Sequence, residues 1–508
     1  MKREGILVML LAHRVRRSLA MLLLVAGSCA GLFAQKPSAS PSATPAKKET
    51  SSPTPTATPE RPREIVALLH DARFAAPELT VDTILKLLEK KKISEAMWRR
   101  ELLDEAIRLN DDVQHSMPMR PAYGGRVERN NPLNDTEVFV LAGAHGAKLD
   151  RLSFRGRVIT LLLDSDKERA KQMIFQMGGR LGLKPRTCED ALTYGPDDIY
   201  TIVANVAKTV FTPQQVAEGH RALFLVPWLE NIESPRQIYP ALNLLQQVQG
   251  PEDERQMLYY AAAKAINRDF RDDRSFTYAW DGITARVGKL ISGETDVYKS
   301  ELGRAYRDML VKNLRGSRCK DNEMKKDGPL PDYVEAANKI IHKPLVIEDV
   351  VASEYSGTAK LTHILKKSPT ALKLRDELIK VRDTQIVDNK IVNHDVTDLA
   401  WASQVTEFIE RVASFEGDDL TEGELLFLKN GLIGGMISGV EPGQLRTGLV
   451  RKYVRLLAGS SLQKSNFIAW LRWIHEVERM APEVFYEIVS EFPNPNFKVL
   501  VEVKKNGL

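Results

Sequence analysis

The sequence predicts an all-α protein, an α-solenoid-like or multi-helix array that can divide into two helical lobes. Three observations carry that prediction: helix-start signals recur along the chain, apolar residues return at intervals of three and four, and strand-like alternation is nearly missing. At 508 residues the chain has room for roughly two to four ordinary domains or one long array. Its hydrophobic share of 43% suffices for a packed core, so most of it is expected to fold.

Residues 1–35 read as a secretory signal peptide. Charges end at Arg16 and Arg17, and an apolar run from Ser18 to Ala34 follows. The strongly apolar part is shorter than the ~20 residues that span a bilayer comfortably. Three fates are open: cleavage at the small residues Ser28 and Ala30 or at Ala34, lipidation of Cys29 after Gly27-Ser28, or retention as an uncleaved anchor. Residues 36–62 hold seven prolines and ten Ser or Thr residues with almost no large apolar side chain, so they are expected to form a disordered linker.

Helical punctuation begins after Pro62, with an N-terminal lobe expected over 63–316. In the stretch 94–110, Trp98, Leu102, Ala106 and Leu109 form one stripe. Ser165 to Glu168 has the spacing of a capping box, and Gly178-Gly179 closes the helix it opens. Thr212-Pro-Gln-Gln215 and Ser234-Pro-Arg-Gln237 repeat the box with proline at the first helical position. Gly250-Pro251 marks a further start, and Thr421 to Glu424 another. Val297, Leu302, Tyr306, Leu310 and Leu314 make a stripe over 296–315, as do Trp470, Trp473, Ile474 and Val477 later. Residues 315–332 are almost free of apolar side chains and mark the boundary to a C-terminal lobe over 333–508. Only Phe497 to Val503 alternates like a strand.

Once Cys29 is removed or lipidated, two cysteines remain. In an oxidising compartment a disulfide between Cys188 and Cys319 would close a loop of about 130 residues, valued at roughly 5 kcal/mol before strain by the chain-entropy model. Two separate buried thiols are the other reading.

Charge and motifs then exclude several functions. The formal charge of +5 divides into +4 on residues 1–35, +2 on 36–62 and −1 on the remainder, so the folded body lacks the basic excess of a nucleic-acid binder. His475-Glu476 begins like a zincin motif, but Arg479 occupies the second ligand position. Gly178 to Lys184 has neither the spacing nor the hydroxyl of a P-loop, and Gly431 to Gly439 follows no strand; tight helix packing is expected there. The acid pairs Asp197-Asp198, Asp272-Asp273 and Asp418-Asp419 sit where helix starts favour negative charge. No catalytic residue, cofactor site or metal site is expected. The most site-like stretch is 271–281, which mixes charges with aromatic rings.

The runs Leu68-Leu-His-Asp-Ala-Arg73, Trp98-Arg-Arg-Glu-Leu-Leu-Asp-Glu-Ala106, Thr187-Cys-Glu-Asp-Ala191 and Ala305-Tyr-Arg-Asp-Met-Leu-Val311, followed by Arg318-Cys319, resemble an uncharacterised family of exported helix-rich bacterial proteins. The resemblance implies export and a helical fold and carries no activity. The expectation is a noncatalytic protein-binding scaffold of the cell envelope, with a protein partner, no nucleic acid, and membrane contact only through an uncleaved leader or a lipid. The alternative is an enzyme assembled from dispersed residues, with Asp272, Asp273, Arg274 and Tyr278 as first suspects.

Overall fold

In the computed structural model, the described residues are 61–508 apart from 122–145, 191, 249, 279, 294–295, 316–317, 320–327, 329, 353, 358–363, 384–385, 388–389, 392–398 and 418. The signal peptide, the linker and Cys29 lie outside them. The fold is all-α. Three helices open it: α1 (Arg63–Ala72), α2 (Pro77–Glu89) and α3 (Ala96–Leu109), the last running into a 3-10 turn at Asn110–Asp112. The stripe predicted on α3 faces inward, with Trp98, Leu102 and Ala106 buried and Leu109 half-buried.

Next come β1 (Met119–Pro121), α4 (Arg151–Ser165), α5 (Lys167–Met177), β2 (Leu192–Tyr194), α6 (Asp197–Thr209), α7 (Pro213–Ala217), α8 (His220–Glu230), α9 (Ile238–Gln247), α10 (Glu252–Ile266), α11 (Trp280–Ile291) and α12 (Val297–Leu314). β3 (Arg318–Cys319), α13 (Leu330–Asn338) and α14 (Ile347–Val350) follow. These helices stack in two rows. One row runs α4, α6, α9, α11, α13, and the other runs α8, α10, α12, α14, with each helix touching the next in its row. That is how amphipathic helices joined by short turns bury an apolar face on both neighbours. The charged tract at 320–327 falls outside the described residues, yet α13 and α14 beyond it still pack on α11 and α12.

β4 (Tyr355–Ser356) pairs in parallel with β3, Arg318 opposite Tyr355 and Cys319 opposite Ser356. β1 and β2 form an antiparallel pair with Arg120 opposite Thr193. The remaining elements are α15 (Ile364–Lys367), α16 (Pro369–Asp383), the short antiparallel pair β5 (Ile386–Val387) and β6 (Lys390–Ile391), α17 (Leu399–Ser414), α18 (Glu422–Ile437), α19 (Gln444–Gly459), α20 (Leu462–Ser465), α21 (Phe467–Met480), α22 (Phe485–Ser490) and α23 (Pro495–Lys505). The last helix packs on the first and second, so the two ends of the folded body meet. The Asn496 side-chain oxygen accepts from the Ala76 N–H at 2.9 Å, and Lys498 pairs with Asp71 at 2.7 Å.

Local signals placed several helix starts correctly. Thr212, Ser234 and Thr421 each complete a capping box, the one at Ser234 opening a 3-10 turn before α9. Three expectations are corrected. Ser165 ends α4 rather than opening α5, because the Asp166 carboxylate caps the next helix by accepting from the Arg169 N–H at 3.0 Å. Val297 is 74% exposed, and the buried face of α12 starts at Tyr298 instead.

Phe497 to Val503 is helical. Asn494 caps α23 through the N–H groups of Asn496 and Phe497, Pro495 sits in its first turn, and the helix is covered by α22 on one side and α1 on another. Burial on two faces gives Phe497, Val499, Val501 and Val503 a spacing that imitates a strand.

Gly178 and Gly179 close α5 in left-handed backbone, but they do different jobs. A Cβ on Gly178 would meet no atom closer than 4.0 Å, whereas one on Gly179 would fall on the Pro227 carbonyl of α8. Gly178→Ala is therefore expected to cost about 1 to 2 kcal/mol of left-handed strain. Gly179→Ala adds a backbone clash and is expected to cost about 3 kcal/mol or more. Denaturant unfolding of the two variants, compared at equal protein concentration, checks the difference; equal losses would refute the close-approach account.

Candidate functional site

The suspect stretch 271–281 turns out to fasten loops together. Asp272 is exposed, while Asp273, Arg274 and Ser275 are buried in the 3-10 turn at Arg274–Tyr278. Asp273 Oδ1 accepts from the Ser275 N–H at 2.8 Å and from its hydroxyl. The second carboxylate oxygen, Oδ2, is buried without a hydrogen-bond partner. Burial pushes this carboxyl above the usual carboxylate range, against the Ser275 groups and the nearby Arg186, which hold it down.

Arg274 donates through its backbone N–H to the Arg186 carbonyl at 2.8 Å and through its guanidinium to the Cys188 carbonyl. Ser275 touches the Ser234 hydroxyl at 3.2 Å, and Gln237 next to it donates to the Tyr200 hydroxyl at 3.0 Å. The Tyr278 side chain lies outside the described residues. Apart from Asp273 Oδ2, the side-chain and backbone groups named here bond one another across turns.

The disulfide lies against this knot. Cys188, before β2, and Cys319, on β3, are bonded with their Cα atoms 5.2 Å apart. The expectation of a bridge is met, and the reading as two separate thiols is overturned.

The other sequence candidates sit in ordinary structural places. His475 is an exposed helix residue 3.3 Å from Glu478, and Glu476 engages Arg472 and Arg479. Gly434 and Gly435 lie inside α18, close to Met480 and Leu378. Asp197 and Asp198 start α6 and pair with Arg120 and Lys148. Among the described residues no group of three His, Cys, Asp or Glu side chains is placed to hold a metal ion. No helix among them is long and apolar enough to cross a membrane.

What the sequence did not announce is the pair of clefts on either side of α5. One is an open groove of about 780 Å³ between α5, α8 and the turn before α7. Phe175 and Leu223 stand on it 65% and 60% exposed, above Phe224, which is buried, and Phe211, whose ring lies 5.3 Å from that of Phe224. Lys171 extends over the Phe211 ring at 5.6 Å while pairing with Glu168 at 2.5 Å, and Asp166 and His220 complete the rim. Phe175 and Leu223 thus leave large apolar surface open beside an apolar floor.

The other cleft, about 470 Å³, lies between α5, α4 and the 3-10 turn after α3. A third cavity of about 950 Å³ runs along the seam where Phe74 and Pro77 face Phe492 and Pro495. Nothing in the local sequence separates Phe175 or Leu223 from core residues, since both sit at helical spacing among apolar neighbours. No family model, curated protein or solved structure matches this chain.

Proposed function

We propose that the chain is an exported, noncatalytic binding scaffold of the cell envelope, and that its docking surface is the groove between α5 and α8. The observation that carries this reading is the apolar floor of Phe211 and Phe224 beneath the exposed Phe175 and Leu223. The occupant is a polypeptide segment of an envelope protein. It presents large apolar side chains on one face, with polar groups beside them that meet the rim formed by Asp166, His220 and the Lys171–Glu168 pair. The apolar leader and the Cys188–Cys319 disulfide support export, because such bridges persist in oxidising compartments. The resemblance of the quoted sequence runs to exported helix-rich proteins points the same way.

Site-specific photo-crosslinking in intact cells tests the proposal. A crosslinker at Phe175 or Leu223 is expected to trap one envelope protein, and the same crosslinker at Leu399, which is 81% exposed on α17, is expected not to trap it. The double variant Phe175→Ser, Leu223→Ser, with unchanged thermal unfolding, is expected to lose that partner in co-purification. Equal products from all three positions, or a partner retained by the folded double variant, would overturn the docking surface.

A further inference from the structure

We propose that the cleft on the far side of α5 is a binding site for a small zwitterion, a free α-amino acid or short peptide with both termini unblocked. The cleft shares Arg169 and Gln172 with the docking groove, but the inference rests on other side chains, Arg155 and Asp111 above all. The cleft of about 470 Å³ falls within the size of small-molecule sites, roughly 300 to 1,000 Å³.

Uncommitted polar groups converge in it. Arg155, half-buried on α4, carries no ion pair or side-chain hydrogen bond among the described residues. Asp111, in the 3-10 turn after α3, likewise has no ion pair among them. The two therefore stand as separate opposite charges rather than as a mutual pair. Asn110 also lines the cleft and is only 4% exposed; its Nδ2 donates to the Arg151 carbonyl at 3.2 Å, while its Oδ1 is buried with no partner.

The chemistry of these groups selects the ligand. A guanidinium matches a carboxylate through two parallel hydrogen bonds. The Asp111 carboxylate, exposed at the cleft, suits an ammonium. The thioethers of Met173 and Met177 give an adaptable apolar floor for a side chain. A neutral sugar would leave the two charges uncompensated, and a simple anion would leave Asp111 facing like charge.

The test titrates the dipeptide Ala-Met into the full chain by calorimetry, beside its N-acetylated and C-amidated forms. The free dipeptide is expected to bind saturably in the micromolar to millimolar range, and blocking either end is expected to weaken it about tenfold or more, the equivalent of one charge-assisted contact. In Arg155→Met the penalty for amidation is expected to vanish, and in Asp111→Asn the penalty for acetylation. Both positions are incompletely buried, so each variant is first shown to unfold at the wild-type denaturant midpoint; if one does not, the other decides. No saturable binding of the free dipeptide, equal affinity for the blocked forms, or unchanged discrimination in a folded variant would overturn the assignment. Loss at the groove variant Phe175→Ser, Leu223→Ser is not expected, which separates this site from the docking surface.

Discussion

Replacing Cys188 and Cys319 together by serine is expected to lower the unfolding free energy by up to about 5 kcal/mol, the largest single loss predicted for this chain. The size comes from topology. The two cysteines are 131 residues apart, and every helix from α6 to α12 lies between them, so the bridge removes a very large loop from the unfolded ensemble. In the folded state it joins the loop before β2 to the strand that follows α12, while the Arg274 guanidinium holds the Cys188 carbonyl beside it.

Chemical denaturation of the oxidised protein, the dithiothreitol-reduced protein and the double variant measures the effect. The last two are expected to share one lowered midpoint. A loss below about 1 kcal/mol would mean that the unfolded chain already keeps those segments close, and the entropic account would fail.

How much of the fold could be read from the sequence depended on how local the deciding interaction was. Thr212 and Thr421 reach only three residues along the chain for their capping partners, so residue spacing alone located them. Gly178 needed only its own left-handed backbone. Asn496 bonds the Ala76 N–H across 420 residues, and no local pattern foretells that α23 covers α1. The misread segment Phe497 to Val503 follows from the same contact, since burial on two sides of a helix erases the single stripe by which helices are recognised. Gly179 shows the limit most sharply: its helix-end role was visible, but its closeness to Pro227 depends on how α5 meets α8.

The candidate sites were less legible for a related reason. Charges and aromatic rings at 271–281 correctly signalled concentrated polar contacts, yet composition alone does not distinguish a cleft from a buried fastening. Asp273 and Arg274 spend their groups on Ser275, Arg186 and Cys188. Conversely, Asn110, Asp111 and Arg155 look like ordinary helix-surface residues in sequence and become a cluster only when α3 and α4 meet beside α5. Phe175 and Leu223 carry the opposite ambiguity. Their spacing says core, and they are surface because no helix among the described residues covers them.

Trp470→Ala is the second large expected loss, about 3 to 5 kcal/mol, and it also tests whether the meeting of the chain ends matters to the whole. The indole is fully buried; its ring stacks on Phe497 at 5.4 Å and lies 5.6 Å from Phe467, and its Nε1–H donates to the Leu457 carbonyl at 2.9 Å. Truncation removes all three interactions and opens a cavity where α21 meets α23. Trp470→Phe keeps an aromatic ring in place and gives up the hydrogen bond, worth about 1 kcal/mol, together with some volume, so it is expected to cost distinctly less. Because α23 also packs on α1, the alanine variant is further expected to speed amide hydrogen exchange in residues 63–72, nearly four hundred positions earlier in the chain. Faster exchange confined to α18–α21, with α1 unchanged, would show instead that the first and last helices hold each other independently of the aromatic stack beneath them.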